Sequence, residues 1–387
     1  MTDTLLLGCA LVGLGATHLV YTYVAYPWIV SLLPARPARP RTDAAPQFVS
    51  VVIAARDPGA GIAAKVSHLL ETVRLKCEIV VVLDGPDSAA TAALAPLVGE
   101  RTKLIVLSTR MGKAVALNDA VAAARGEVLI FTDIRQRVTP GAVERLVGAL
   151  RSPDVGAVSG RIEGAPPPGQ GILLDHYWEN EQRLREREAA HDSTIGVAGP
   201  LYGMRRDLWR PLPAGLLLDD VWVPMQVVKA GKRVGFDRLA IAIDPPTGSD
   251  TVEFVRRVRT LTGNYQLLAW MPWLLDPRKN RVWWQFLSHK VFRLATPLAT
   301  GLIAAGLLVL AGRWAAWLAG AAAAATLLLW ALPVRPTRFP GARILRVFRS
   351  GLMLHAALLQ AGINAARGRW DVWREPLRPM FQNARRL

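Results

Sequence analysis

A chain of 387 residues is long enough for one large catalytic domain plus a membrane part, or for two ordinary domains. It carries 47 Lys and Arg against 30 Asp and Glu, a net charge of +17, although half of its residues are apolar. Such a balance suggests nucleic acid first, but many arginines flank apolar segments, as at Arg36, Arg39 and Arg41 and again between Arg335 and Arg349. That is the pattern of a membrane protein facing anionic lipid, so membrane lipids and no nucleic acid are the expected partners. Two cysteines, Cys9 in the first apolar segment and Cys77 before a strand, offer neither a disulfide framework nor a zinc site. Both are expected to be small buried apolar residues.

Residues 1–33 are expected to form an N-terminal transmembrane helix. The apolar run exceeds a signal-peptide core and exceeds the roughly 20 residues that span a bilayer. Tyr21, Tyr23, Tyr26 and Trp28 fall near its end, where aromatic rings favour the interface. Residues 34–47 form a Pro/Arg linker whose charge places it in the cytosol. Residues 48–270 then have the character of a soluble α/β domain. Apolar runs at 48–55, 78–84, 103–108 and 127–132 fit buried strands, with further strands near 155–159 and 197–203. A helix over 112–125 stops at Gly126, and one from about 251 to 270 closes the domain. Alternation of strand and helix predicts a mostly parallel, Rossmann-like sheet with ligands at the strand C-termini. An aromatic and acidic stretch from Tyr177 to Glu188 fits an amphipathic surface helix.

The chain then returns to the membrane. Residues 271–290 form an interfacial segment with Trp283, Trp284 and Lys290, and 291–334 a transmembrane hairpin whose arms, 291–311 and 314–332, are parted by Arg313. Residues 335–387 hold a basic loop, a segment at 352–366 and a cytosolic tail. A true span at 352–366 would put the tail outside against the charge rule, so an interfacial or re-entrant helix is preferred. The whole is an α/β domain plus α-helical transmembrane segments, multi-pass, with the domain on the cytosolic side.

Polar groups collect at the strand ends, and most are carboxylates. Asp84 follows Ile-Val-Val-Val-Leu, Asp133 follows Val-Leu-Ile-Phe-Thr, and Asp219 and Asp220 follow Gly-Leu-Leu-Leu. One carboxylate at a strand end can simply cap the next helix. Three such sites in one α/β domain ask for more. Gly112-Lys113 lacks the earlier Gly and the following Ser/Thr of a P-loop.

In order and spacing these pieces resemble the inverting family 2 glycosyltransferases of the GT-A fold, over roughly residues 47–290, with a likeness to membrane-bound cellulose and hyaluronan synthases. Val49 to Asp57 looks like the first strand and nucleotide loop, which the resemblance assigns to Ala54, Arg56 and Asp57. Glu78 to Gly85 carries the base- or ribose-binding Asp84. Gly112-Lys113-Ala-Val-Ala-Leu-Asn118 matches the GK-x-x-ALN segment, the most specific of the matches, and implies donor binding by Lys113 and Asn118. Asp133 stands at the metal-binding Asp-x-Asp, Gly199 to Gly203 at the acceptor-side loop, and Asp219-Asp220 at the pair containing the catalytic base. Arg256, Arg257 and Arg259 lie where polymerising relatives carry QxxRW.

The resemblance implies transfer of a sugar from a nucleoside diphosphate sugar, a UDP-sugar first, to a lipid-linked or glycan acceptor in bacterial envelope or exopolysaccharide assembly. Asp220 would be the base, Asp219 its neighbour, and Asp133 the ligand of Mg2+ or Mn2+, with cationic compensation for the diphosphate from the three arginines. Two departures stand out. The second Asp of Asp-x-Asp is Arg135, which weakens the metal site. QxxRW is missing, which favours transfer of one or a few sugars over a processive synthase with partner export proteins. An inert nucleotide-binding scaffold is the alternative from another class. His176, His191 and His289 are expected to be structural.

Overall fold

The computed structural model describes residues 2–37, 39–40, 48–164, 172–245, 250–321, 326 and 341–372, and at 172–178, 250–251, 313 and 341–347 it describes the backbone alone. Eleven helical elements are used below: α1 Thr2–Leu32, α2 Gly61–Thr72, α3 Ser88–Leu94, α4 Lys113–Ala123, α5 Ala142–Leu150, α6 Ile172–His191, α7 Asp219–Lys229, α8 Asp250–Trp270, α9 Trp283–Leu294, α10 Thr296–Ala311 and α11 Gly341–Ala366. The strands are β1 Val49–Ala55, β2 Cys77–Leu83, β3 Thr102–Val106, β4 Val128–Thr132, β5 Arg137–Val138, β6 Val155–Gly164, β7 Leu201–Arg205 and β8 Arg233–Asp244.

They form one eight-stranded sheet in the order β3-β2-β1-β4-β7-β6-β8-β5. The sheet is mixed but mostly parallel, as expected: six strands run one way, and β7 and β5 run against them. β3, β2, β1 and β4 are parallel, β7 runs antiparallel to both β4 and β6, and β8 is parallel to β6 and antiparallel to β5. The parallel half was legible because strands buried on both faces read as unbroken apolar runs. β1 and β2 are such runs, buried along nearly their whole length. β8 was missed because Arg233, Asp237, Arg238 and Asp244 interrupt its apolar pattern, and only part of it is buried. β7 begins at Leu201, since Gly199 and Pro200 form the turn that leads into it.

Two apolar layers cover the sheet. One packs Val52, Val80 and Leu129 against Ala116, Leu117 and Ala120 of α4, Met225 of α7 and Leu267 of α8. The other packs Val51, Ile53 and Ile79 against Ile62, Val66 and Leu69 of α2 and Leu146 of α5. Each such side chain contributes about 1.5–3 kcal/mol by leaving water. Cys77 belongs to this core, but Cys9 lies exposed on α1, against expectation.

Among the described residues, α1 alone is long and apolar enough to cross a membrane by itself. α9 and α10 pass the same test only together, as a pair bent by 56°. α1 lies along α10 where small residues allow close approach. A Cβ at Gly15 would strike the Ala299 carbonyl, and one at Gly306 would meet the Gly8 carbonyl at 2.7 Å. The expected span at 314–332 falls largely outside the described residues, and the 352–366 segment is the C-terminal part of the longer α11. The 34–47 linker is docked where it is described: the Arg36 amide donates to Ala190 O at 2.8 Å, and Arg39 pairs with Asp154 at 3.2 Å. The proposed boundary at 290/291 falls inside α9, a single element that joins the domain to α1. Within both helices one turn widens to π geometry, at Tyr21–Ala25 and Leu287–Val291, and these turns meet. The Tyr21 hydroxyl bonds Ser288 Oγ at 2.8 Å and accepts from Trp284 Nε1 at 2.9 Å.

Candidate active site

The C-terminal ends of β1 and β4 open into a small pocket floored by Val52, Ala54 and Phe131 and walled by Lys113, Asp133 and Asp219. Lys113 is the first residue of α4. It is placed by Gly112, whose φ of 95° is costly for any residue with a Cβ. The Met111 and Gly112 amides both donate to Asp84 Oδ1, at 2.6 and 2.9 Å. Asp84 is 5 % exposed, so its carboxylate is spent on locking this loop rather than open to solvent.

The Lys113 ammonium lies 3.2 Å from Asp219 and 3.5 Å from Asp133. Burial opposes its charge, but the Asp133, Asp219 and Asp220 carboxylates outweigh that and hold the ammonium above its ordinary pKa. Asp219 and Asp220 open α7, where the positive end of the helix favours anions. Pro224 shapes this turn. It has no N–H to offer the Asp220 carbonyl one turn back, and the Val197 amide takes that carbonyl at 2.8 Å. The loop before β7 is thereby tied to the acidic pair. Burial, and then the Asp219 charge, push the Asp220 carboxyl up, against the lowering influence of Lys290, Lys113 and Arg185. A carboxyl raised in this way is a better proton acceptor near neutral pH than an ordinary aspartate.

Of the three arginines on α8, one faces this cluster. Burial lowers the Arg259 guanidinium from its usual value, while Asp220, Asp219 and Asp133 favour its charge. Arg256 and Arg257 turn instead to Glu253, at 3.9 and 2.9 Å. Asn118 also points away: its amide donates to Leu212 O and accepts from Leu212 N, both at 2.8 Å, anchoring α4 to the loop before α7. On the β1 side, Asp57 has φ 47° and is held by Arg110 at 2.7 Å, with Arg56 3.8 Å away.

Arg135, in place of the second carboxylate, is 3.0 Å from Asp244 at the end of β8, and Gln136 reaches the same oxygen at 2.7 Å. Its charge is thus committed away from the pocket. Among the described residues there is no group of three His, Cys, Asp or Glu able to hold a metal alone. Asp133 is the carboxylate that remains. One or two carboxylates plus substrate phosphates make an ordinary Mg2+ site, so the donor set fits a metal brought in with a diphosphate.

Sequence reasoning missed two features of the site. Tyr202 of β7 is fully buried, stacked on Phe131 at 4.5 Å, and its hydroxyl has no partner among the described residues. Burial and the charges of Asp219, Asp220 and Asp133 push this phenol well up, so it remains an O–H donor. Its signal was the Gly-Pro-Leu-Tyr-Gly segment, where the tyrosine itself was passed over. The second is a cationic group beyond Asp220. The stretch 177–188 is helical and two-sided, as expected, but its packed side carries charge: Glu181 and Glu188 of α6 are buried, and both meet His289 of α9. His289, 1 % exposed, bridges them at 2.9 Å each, which is a structural placement but at a charged junction. His191 lies 3.2 Å from Pro34 O, and the His176 side chain is outside the described residues.

Residues 50–210 match the family model described as Glycosyl transferase family 2. The match covers less than half of the chain and ends before Asp219. Among solved structures, the mannosyltransferase PcManGT from Pyrobaculum calidifontis, in complex with GDP-Man and Mn2+, is similar at 21% identity over 94% of this chain and 99% of its own, with a TM-score of 0.70. At that identity the likeness shows the fold, a mixed α/β sheet of GT-A type. Glucosyl-3-phosphoglycerate synthase from Mycobacterium tuberculosis, in complex with Mn2+, UDP and phosphoglyceric acid, is 18% identical over 58% of this chain and 78% of its own, with a TM-score of 0.42, and adds nothing to that assignment. No curated protein matches the chain.

Proposed function

We propose that this chain is a membrane-bound inverting glycosyltransferase that moves a sugar from a nucleoside diphosphate sugar to a lipid-linked or glycan acceptor, with its α/β domain on the cytosolic face of a bacterial inner membrane. The observation that carries the reading is the convergence of Lys113, Asp133, Asp219, Asp220 and Arg259 at the strand C-termini. In the reaction an acceptor hydroxyl attacks the anomeric carbon from the face opposite the diphosphate. Asp220 takes the hydroxyl proton, the new C–O bond forms, and the bond to the diphosphate breaks with its electrons leaving on the phosphate oxygen. Lys113 and Arg259 stabilise that departing charge in a partly dry site, where fixed cations act strongly. A Mg2+ or Mn2+ ion, when bound, would neutralise diphosphate charge, and Asp133 is the residue placed to hold it. Asp84 acts through the loop it locks, so it positions Lys113. Asn118, Arg256 and Arg257 support the scaffold in this reading, and Arg56 and Asp57 border the donor side.

The test is nucleotide release by the full chain in detergent from a panel of UDP- and GDP-sugars, with and without Mn2+ or Mg2+, beside Asp220→Asn. Release from one donor that Asp220→Asn abolishes supports the reading. Binding of a nucleotide sugar with no release, even with acceptor lipid supplied, would leave the scaffold, and failure to bind any nucleotide sugar would sink the reading.

A further inference from the structure

The Lys113 ammonium bridges two carboxylates from different elements. It lies 3.5 Å from Asp133 Oδ1, in the loop after β4, and 3.2 Å from Asp219 Oδ2, at the start of α7. All three residues line one small pocket over the apolar side chains of Val52, Leu117 and Phe131. Asp219 and Lys113 are only 11% and 27% exposed there, so little water screens the contact. A second ammonium, that of Lys65, bonds to Thr132 Oγ1 at 2.9 Å, one residue before Asp133, and adds charge of the same sign beneath the loop.

This arrangement decides what else the pocket can hold. Asp133 is the carboxylate placed to take a divalent ion, because Arg135 stands where a second would be and is committed to Asp244 at 3.0 Å. An ion on Asp133 Oδ1, at about 2.1 Å, would stand within about 6 Å of the Lys113 ammonium. Repulsion between a divalent and a monovalent charge at that range lowers affinity by at least about tenfold, even at the dielectric constant of water. Lys113 does not withdraw freely. Gly112, at φ 95°, and the grip of Asp84 on the Met111 and Gly112 amides fix its backbone. The side chain alone can move, and moving it gives up both ion pairs. A diphosphate changes the balance, because its oxygens accept the ammonium and coordinate the metal at the same time.

We propose that Lys113 is a tethered counter-ion that closes the Asp133 site to a free divalent metal and yields it only to a metal carried on a nucleoside diphosphate. That the diphosphate belongs to a sugar donor rests on the glycosyltransferase reading given above, whereas the exclusion of free metal rests on the ion pairs. The consequence is an order of binding. Metal and nucleotide enter as one, and the lysine passes from the carboxylates to the phosphate as they do.

The test measures Mn2+ binding to the full chain in neutral detergent, from the free-ion signal in electron paramagnetic resonance. It compares wild type, Lys113→Met, Lys113→Arg and a double variant carrying Lys113→Met and Asp133→Asn. Without nucleotide, Lys113→Met is expected to bind Mn2+ about tenfold or more tighter than wild type. Lys113→Arg should bind as weakly as wild type, and the double variant should lose the gain. Thermal melts give a second reading: Mn2+ should raise the melting temperature of Lys113→Met by more than that of wild type, whatever the variant's starting stability. Affinity in Lys113→Met no greater than in wild type, or a gain that survives Asp133→Asn, overturns the proposal. UDP or GDP is then added, with correction for Mn2+ held by the nucleotide in solution. Wild type should now bind Mn2+ about tenfold tighter, and equal binding with and without an accepted diphosphate also overturns the proposal. If wild type takes neither nucleotide nor their sugars, the glycosyltransferase reading falls, and the metal-only comparison still decides whether Lys113 closes the site.

Discussion

Asp220 has charged groups on two flanks, or walls, and these are built by different means. The wall bearing Lys113 and Asp133 belongs to the parallel half of the sheet, and its key group is locked by backbone amides from a nearby loop, Met111 and Gly112 onto Asp84. The wall bearing Arg185 and Lys290 is held by ion pairs between elements about a hundred residues apart, as in His289 with Glu181 and Glu188. One wall is a rigid nest of neutral donors around one carboxylate. The other is a charge network whose members depend on one another, so single substitutions there reach further into stability. Asp220 stands between the two and feels both, since Lys113 from one side and Lys290 and Arg185 from the other lower its carboxyl against the effect of burial.

The strongest way to break the contrast is at that shared residue. Asp220→Asn is expected to reduce sugar transfer by about 10²–10⁴-fold, the usual weight of a positioned base, while nucleotide binding persists. Stability should move the other way. A carboxyl raised on folding contributes stability that is fully present below its unfolded pKa and lost as pH rises through the folded one. At pH 7 a charged Asp220 beside Asp219 therefore costs stability, and Asp220→Asn should melt at or above the wild-type temperature. A lower melting temperature would mean that the carboxylate is a structural partner and not a strained base.

Next in size is Glu181→Gln on the charge-network wall. Removing one partner of a buried pair typically costs about 3–5 kcal/mol, because the cations left behind lose their compensation. Burial works against the Glu181 charge, but His289, Arg293 and Arg185 hold its carboxyl well below the usual range. The sign follows: this stability is present above the unfolded carboxylate value and lost as pH falls through the depressed one. Thermal melts of wild type should steepen in their acid loss where Glu181→Gln does not. A variant as stable as wild type would show that the network is solvated and weak.

Gly15→Leu probes how the second wall is seated. The added side chain would strike the Ala299 carbonyl and press on Ile303, so α1 must shift from α10. Overpacking of this kind costs about 1–3 kcal/mol. Protease protection of the 271–290 segment in detergent should fall in Gly15→Leu and stay unchanged in Gly13→Leu, whose Cβ position is open.

The contrast also explains what could be read in advance. β1, β2, β4 and the carboxylates at their ends were legible because a doubly buried strand is a continuous apolar run and its terminal charge stands out. β8 and the antiparallel turn of the sheet were not, since Arg233, Asp237 and Asp244 break the pattern and strand direction leaves no local trace. Asp84 was found, but its partners, the backbone amides of 111 and 112, have no sequence signature. The same holds for Arg259 against Arg256 and Arg257: three arginines in four residues on one helix differ in role only through the face that α8 presents. The basic group beyond Asp220 was invisible because Arg185 and Lys290 meet only once α6 and α9 have packed.

The smallest expected effect lies beneath the first wall. Lys65 of α2 is 5 % exposed and donates to Thr132 Oγ1 at 2.9 Å and to Gln136 O at 2.5 Å, so it straps the loop that carries Asp133. Burial lowers its ammonium to about 8, with Asp133 resisting. A lysine lowered on folding is costly while it stays charged, and that cost is relieved as pH rises from about 8 toward the unfolded value. Stability should therefore climb slightly over that range, by a fraction of what Glu181 controls at the acid end. Lys65→Met removes both the titration and the strap. It should flatten the alkaline rise and weaken any metal-dependent step several-fold through a looser Asp133, an effect of about 1 kcal/mol. Amine labelling of the folded protein should reveal one lysine reacting with a midpoint near 8 that disappears in Lys65→Met. A midpoint at the ordinary lysine value would mean that the strap is open to water, and that the Asp133 wall is no more rigid than the one opposite.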